Sequence, residues 1–335
     1  MPVTGAIIGL GNIGFGFNAD GKRSGVWTHE RAFARSGEVE LVAAADPDES
    51  MRRRFAEARP EVPVFATAGE LLRDTTPDLV SICAPTSAHA RLAKDFIAAG
   101  TRAVFCEKPI AADAKQALEL IHLAKKRGAT LAVNHTRRWD PAYRRAAGLV
   151  AKGGIGAVRS VSARYSGHVY NVGTHLIDCV RMLTGLAPEE AVGASADPKT
   201  ADPHVSGLLL LEGGICCTLA CHGKREDLLF ELDVVGSEGR LRLVDNGATT
   251  LLERFRPSRY ASGYRELVSG SLPSLKGEDR FVAAVKDLCA CLSRPKRAPA
   301  CSGEDGYYAL AAAQALAVSA RQGSRPVKLE APWKS

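Results

Sequence analysis

Five short apolar runs in the first 135 residues leave few folds open. They are Val3 to Gly9, Val39 to Ala45, Leu79 to Ala84, Ala103 to Cys106 and Leu131 to Asn134. Each is short, bounded by turn formers and too continuously apolar for a strand with one wet face, so each reads as a strand buried on both sides. Helical stretches with polar starts and glycine stops lie between them: Ser87 to Ala98 before Gly100, and Asp113 to Arg127 before Gly128. Repeated strand–helix–strand units give a doubly wound α/β domain, a parallel sheet with helices on both faces.

The pattern then changes. Asp140-Pro141 places an N-cap before a first-turn proline and starts another helix. From Val158 strands dominate. Val205 to Leu211, the Gly213-Gly214 turn and Ile215 to Cys221 read as a hairpin, followed by strands over Leu228–Val235, Arg240–Val244 and Thr249–Phe255. Residues 256–276 read as a long loop. Helices follow over Glu278–Leu292 and Gly306–Ala320. This second part is an α+β domain on an open, mostly antiparallel sheet. A chain of 335 residues exceeds one ordinary core, and the change of pattern divides it into residues 1–130 and 131–335.

Composition removes several classes of function. With 46% hydrophobic and 24% charged residues the balance is that of a globular chain. No apolar run approaches the roughly 20 residues that span a bilayer, and Met1 to Gly9 has no basic leader, so no membrane is expected and a cytoplasmic location is. The nine cysteines do not suggest a disulfide framework, and Cys83, Cys106 and Cys179 lie inside apolar elements, where a reduced thiol is a small hydrophobe. Cys216, Cys217, Cys221 and His222 do not make a metal site, because neighbours on a strand point to opposite faces. The net charge of +7 comes from short, scattered clusters, which argues against nucleic acid and for small anionic molecules.

Gly9-Leu10-Gly11-Asn12-Ile13-Gly14 follows the first apolar run directly. Gly9 permits the tight turn, Gly11 lets the backbone approach a pyrophosphate, and Gly14 lets helix and strand pack closely. Asn12 and Ile13 belong to that phosphate turn. Asp46 ends the second run, where a carboxylate accepts bonds from ribose hydroxyls and repels a 2′-phosphate, so NAD is expected ahead of NADP. Asp46 lies further from the glycines than the usual distance of about 20 residues; Phe15 to Thr28 reads as an inserted loop or broken helix start, with regular helix resuming near His29. Ala84-Pro85-Thr86 ends the third run beside the cofactor. Thr86 is placed to cap the next helix, cradle the cofactor, or both, and His89 to pack or touch the cofactor. Cys106-Glu107-Lys108-Pro109 ends the fourth run and puts a lysine where a reacting group is wanted.

These segments, with Gly173-Thr174-His175-Leu176-Ile177-Asp178 and the turn Gly236-Ser237-Glu238-Gly239, make the chain resemble the Gfo/Idh/MocA oxidoreductases along nearly its whole length. The resemblance implies a Rossmann domain followed by a sheet domain that commonly forms the subunit interface, hence a homo-oligomer, dimer or tetramer, through that sheet. It implies a sugar, cyclitol or related substrate oxidised or reduced at one carbon. It makes Lys108 the catalytic lysine and His175 the acid/base, with Glu107 and Lys108 also beside the cofactor. Where many relatives carry an aspartate four positions before the histidine, this chain has Asn171, expected to position substrate or imidazole without adding charge.

The chemistry suits these residue types. Alcohol oxidation removes a hydride and a proton; an imidazole takes the proton near neutral pH, and an ammonium steadies the charge that develops on oxygen. Arg137, Arg138 and Trp139, after the fifth run, and His168 and Tyr170, before the catalytic helix, are expected to line the substrate pocket. Tyr143, Tyr260 and Tyr264 fit ordinary packing at least as well, and Asp178, three residues after His175, can tether it. Two alternatives stay open: glycoside cleavage through transient oxidation, and a dinucleotide-binding sensor or scaffold without turnover.

Overall fold

A computed structural model of the chain describes every residue except Met1, Ser24, Arg225, Ser274, Lys276, Pro295, Ala331 and Trp333 to Ser335, and, for Ser271, the backbone only. It divides into two compact units, Met1–Trp139 with Glu278–Tyr307, and Asp140–Gly277 with Tyr308–Ser335.

The first unit is built on β1 (Val3–Ile8), β2 (Val39–Ala45), β3 (Val64–Phe65), β4 (Leu79–Ile82), β5 (Ala103–Cys106) and β6 (Thr130–Val133). Among the described residues these six form one parallel sheet in the order β3-β2-β1-β4-β5-β6. The order reverses between β1 and β4, and in open α/β sheets such a switch point opens a ligand crevice at the strands' carboxyl ends. Helices α1 (His29–Ser36), α2 (Glu49–Ala58), α3 (Ala68–Asp74), α4 (Thr86–Ala99) and α5 (Ala114–Arg127) join the strands. Their ends are set locally. Thr28, Asp48, Thr67 and Asp113 each accept a first-turn amide with the side chain, and Gly37, Gly100 and Gly128 end α1, α4 and α5 in the left-handed region.

The interrupted first helix is confirmed, and its geometry explains the long spacing to Asp46. After the glycine turn the chain makes one turn of 3-10 helix, Gly16–Ala19, leaves, and re-enters at α1. The His29 amide donates to the Ile13 carbonyl and the Glu30 amide to the Gly14 carbonyl. In an uninterrupted helix the donor to Ile13 would be residue 17, so 12 residues loop out (29 − 17). Gly14 and Asp46 are 32 apart in sequence; without the excursion they are 20 apart, the spacing usual for this motif.

The second unit holds α6 (Pro141–Ala151), α7 (Thr174–Thr184) and most of a C-terminal helix, with β7 (Val158–Tyr165), β8 (Pro188–Ala194), β9 (Ser206–Leu211), β10 (Ile215–Cys221), β11 (Phe230–Gly236), β12 (Gly239–Val244), β13 (Thr249–Pro257), β14 (Arg265–Leu272) and β15 (Val327–Lys328). These nine, among the described residues, run β14-β13-β12-β11-β7-β10-β9-β8-β15. Neighbours are antiparallel except β7 and β10, which are parallel. One face carries the core, where Tyr165, Val161 and Leu219 of the sheet meet Leu176 and Val180 of α7 and Ala313 and Leu316 near the C-terminus.

Two expectations are corrected. Residues 256–276 are not one loop: β14 pairs with β13 from Thr250↔Leu272 to Pro257↔Arg265. Its sequence, Arg-Glu-Leu-Val-Ser-Gly-Ser-Leu, is an edge strand in which no described side chain is buried. A strand that buries neither face has no reason to alternate, so it gives no periodic signal. A cut at residue 130 also fails. It falls inside β6, which pairs with β5, and the late helix α8 (Arg280–Ser293) belongs to the first unit. Asp287 of α8 accepts from Trp139 Nε1 at 3.0 Å, and Asp279, its cap, accepts from the Val26 amide at 3.0 Å. Those contacts join residues more than 140 positions apart. The last helix, α9 (Gly303–Arg321), crosses from one unit's residues to the other's. Among the described residues no helix is long and apolar enough to cross a membrane, and no group of three or more His, Cys, Asp or Glu could hold a metal ion.

Candidate active site

The three glycines of the turn face three different constraints. Gly9 has φ +96°, and a Cβ there would sit 2.6 Å from the Cys83 carbonyl carbon and 2.7 Å from the Ala84 nitrogen. The loops after β1 and β4 therefore touch at the switch point. A Cβ on Gly14 would lie 2.0 Å from the Gly9 carbonyl oxygen, so the helix start is pressed onto the turn. Gly11 is exposed, and nothing lies within 4 Å of the position its Cβ would take. That open backbone is what a pyrophosphate needs. Exposed Asn12 and half-buried Ile13 complete the rim.

Asp46, buried at the end of β2, braces this turn: one carboxylate oxygen accepts from the Leu10 amide at 2.6 Å, the other from the Asp48 amide at 2.8 Å. Each oxygen keeps a second lone pair for a ribose hydroxyl. The residues present thus fit a dinucleotide.

Ala84, Pro85 and Thr86 stand after β4. Pro85 holds the cap position of α4 and Thr86 is its first residue, with no side-chain cap, so the capping role for Thr86 is withdrawn. His89 is buried with Nδ1 2.7 Å from the Pro109 carbonyl and Nε2 2.7 Å from the Ala84 carbonyl. Both ring nitrogens are held by backbone, so its imidazole ties two loops together rather than reaching a cofactor.

Lys108 follows β5 and precedes a cis bond to Pro109. Glu107 points inward. Its Oε1 accepts from His29 Nε2 at 3.0 Å and from Asn134 Nδ2 at 2.5 Å, and its Oε2 accepts from the Lys108 amide at 3.2 Å. His29 Nδ1 meets Ser81 Oγ at 2.9 Å. Burial works against the Glu107 anion, but His29, Asn134 and the charge of Lys108 outweigh it and hold the carboxyl below its ordinary range. Burial, with the nearby Glu107 charge, pushes the thiols of Cys83 and Cys106 well up. His29, Ser81 and Asn134 escaped sequence reasoning as site residues. The usable signal was position: Ser81 lies in β4, Asn134 just past β6, and His29 opens the helix that resumes after the glycine turn.

Two expected pocket residues are structural. Arg138 bonds Asp305 at 2.9 Å and the Ala300 carbonyl at 3.3 Å, and Trp139 is buried against Phe105 with its indole on Asp287. Both turn inward because the 3-10 turn Thr136–Trp139 lies under α8 and the start of α9. Arg137 is half-buried.

In the second unit, Val169–Gly173 forms a turn of π-helix running into α7, an irregularity frequent at functional sites. Asn171 and His175 stand one turn apart and half-buried, while Leu176 to Val180 are buried. His168 Nδ1 lies 2.6 Å from the Asp202 carbonyl, and its ring stacks on His204 at 4.1 Å. Asp202 also accepts from the Tyr170 amide at 2.8 Å. Burial pushes the Tyr170 phenol up, against the opposing pull of the Arg321 guanidinium that bonds it. Tyr143 is buried against Gly247, whereas Tyr260 and Tyr264 are exposed near the β13–β14 hairpin tip, so packing does not explain them.

Residues 3–135 match the family model described as GFO_IDH_MocA, oxidoreductase family, NAD-binding Rossmann fold, and residues 159–329 match its C-terminal alpha/beta domain. The chain is 27% identical to a D-apiose dehydrogenase of Paraburkholderia graminis over 90% of this chain and 86% of that one. It is 28% identical to the myo-inositol dehydrogenase Hyg17 of Streptomyces leeuwenhoekii, over 85% and 91%. An oxidoreductase domain protein from Kribbella flavida has the same fold, with a TM-score of 0.79 at 21% identity over 98% of this chain and 99% of that one.

Proposed function

This chain belongs to the Gfo/Idh/MocA oxidoreductase family, and from that membership we propose that it transfers a hydride between NAD and a carbinol carbon of a sugar, cyclitol or sugar derivative. The observation that carries this reading is the order of groups along one sheet edge. The open glycine turn, Asp46, the Ala84-Pro85 loop and Lys108 follow β1, β2, β4 and β5, four adjacent strands of the parallel sheet. The substrate class is supported by two relatives over most of their length, one named for D-apiose and one for myo-inositol.

NAD supplies the hydride acceptor, and the chain's residues handle the rest. Gly9 to Gly14 hold the pyrophosphate and Asp46 the adenosine ribose. Lys108 places an ammonium against the substrate oxygen, where negative charge grows as its proton leaves. His175 takes that proton as general base and returns it in the reverse direction. Asn171, one turn before His175, orients imidazole or substrate by hydrogen bonding without adding charge. Arg137, His168 and Tyr170 meet the polyhydroxy body. Copies of the chain associate through the large sheet, as the family resemblance implies.

The test is a panel of free sugars, cyclitols, sugar acids and nucleotide-linked sugars, followed by the absorbance of reduced nicotinamide with NAD and NADP in parallel. NAD-dependent turnover of at least one polyhydroxy compound is expected. Tight NAD binding with no redox change across the panel would point to a sensor instead.

A further inference from the structure

The loop between β8 and β9 is tied to the π-turn that leads into α7, and the ties start from main-chain amides. The Val169 amide donates to the Pro203 carbonyl at 2.9 Å and the Tyr170 amide to the Asp202 carboxylate at 2.8 Å. Within the loop, the His204 amide donates to Asp197 Oδ1 at 3.2 Å. This brace needs no imidazole, yet two are stacked on it. The rings of His168 and His204 have centroids 4.1 Å apart and planes inclined by 33°. Each meets an acceptor at Nδ1: the Asp202 carbonyl for His168 at 2.6 Å, and Asp197 Oδ2 for His204 at 3.1 Å. Ser195 Oγ donates to Asp197 Oδ1 at 2.7 Å and helps to hold that carboxylate in place. Carbonyl and carboxylate oxygens accept, so both rings carry a hydrogen on Nδ1. Two imidazolium charges so close repel, so at least one ring is neutral and presents a lone pair on Nε2. Among the described residues nothing bonds either Nε2, and 33% of the His204 side chain is exposed.

We propose that His168 and His204 together form a hydroxyl-binding subsite, and that His204 is a specificity-determining residue for the substrate. The proposal rests on the hydride-transfer reading above and says which part of a polyhydroxy compound this chain selects. A neutral imidazole with a free Nε2 accepts from an alcohol, and the ring stacked on it meets a neighbouring hydroxyl as acceptor or donor, since an O–H group does either. The pair therefore suits a vicinal diol. Paired imidazoles also take metal ions, but the described residues offer no group of three or more His, Cys, Asp or Glu that could hold one. Asn171 and His175 follow His168 by three and seven positions. Seven residues advance a helix by roughly 10 Å, so the hydroxyls taken by the pair are remote from the carbon that His175 serves. They govern binding more than rate.

The test compares wild type, His204→Phe and His204→Gln with the best substrate of the panel and its singly deoxygenated analogues. Phenylalanine keeps a ring against His168 and removes Nε2; glutamine returns a polar acceptor. In His204→Phe the substrate KM should rise about tenfold with kcat within about threefold, and His204→Gln should recover part of the loss. At least one remote deoxygenation should cost wild type about tenfold in kcat/KM and cost His204→Phe little, because the partner of that hydroxyl is already gone. An unmoved KM in His204→Phe, or the same discrimination between substrate and analogues in both proteins, would overturn the proposal. A second measurement needs neither turnover nor a variant: carbethoxylation of His168 and His204 by diethyl pyrocarbonate in the wild-type NAD complex, read by peptide mapping. A panel compound that binds should slow modification of both rings severalfold, and an unchanged rate with every compound would overturn the proposal. Slowed modification with no reduction of NAD by any compound would keep the subsite and remove the hydride-transfer reading.

Discussion

At the residue scale, one glycine of the turn is pressed against the backbone and another stands open. A methyl group on Gly14 would sit 2.0 Å from a backbone oxygen, whereas one on Gly11 meets nothing within 4 Å. Gly14→Ala should therefore cost roughly 1–3 kcal/mol of stability, read by denaturant titration. Gly11→Val should leave stability within about 0.5 kcal/mol while weakening NAD binding by about 1.4 kcal/mol, or tenfold, or more. Equal stability losses in both variants would contradict this division. Glu107 makes a second prediction at this scale. Its folded carboxyl titrates below the unfolded one, so its contribution is full above the unfolded range and fades as pH falls through the lower, folded value. The acid-induced loss of stability should be shallower in Glu107→Gln; an identical pH slope would show the carboxylate to be unlinked to folding. The close approach at Gly14 was legible in sequence because it depends on Gly9, five residues away. The partners of Glu107 were not, because His29 and Asn134 reach it only once α1 and β6 take their places around β5.

At the scale of elements, the 12-residue excursion is an insertion that leaves the register of α1 intact. Joining Gly16 directly to His29 keeps the Ile13 carbonyl four residues before its donor. It removes the Thr28 cap, the Asn18–Glu30 bond and the Val26–Asp279 bond. The shortened chain should lose roughly 1–3 kcal/mol and still bind NAD. Loss of NAD binding would make the excursion part of the site. Helix α8 is the opposite case. Asp287 accepts from Trp139, Arg297 and the Ala300 amide, so Asp287→Ala strands the buried Trp139 indole and frees the other two donors, and should cost about 1–3 kcal/mol, measured by thermal melting. A change below about 0.5 kcal/mol would show these bonds to be dispensable. Helix caps and stops were readable because they are local. The edge strand β14 and the return of α8 to the first unit were not, since one buries no face and the other depends on contacts between distant positions.

On the scale of the whole molecule, one face of the large sheet carries the core. On the other face, Cys216, Thr218 and Ala220 of β10 are exposed, and Arg164 of the neighbouring β7 pairs with Glu231 of β11. Under the proposed association through this sheet, Thr218→Arg should shift the sedimentation profile toward the monomer; an unchanged profile would count against that interface. The two-part architecture was legible from the switch between buried runs and alternating strands, though its boundary was not. The central claim remains that Lys108 serves chemistry rather than binding, and the most direct measurement is Lys108→Met assayed for turnover and, in parallel, for NAD affinity. Turnover should fall by about a hundredfold or more with NAD affinity within about threefold of wild type. Wild-type turnover, or a loss of NAD affinity matching the loss of rate, would contradict the account.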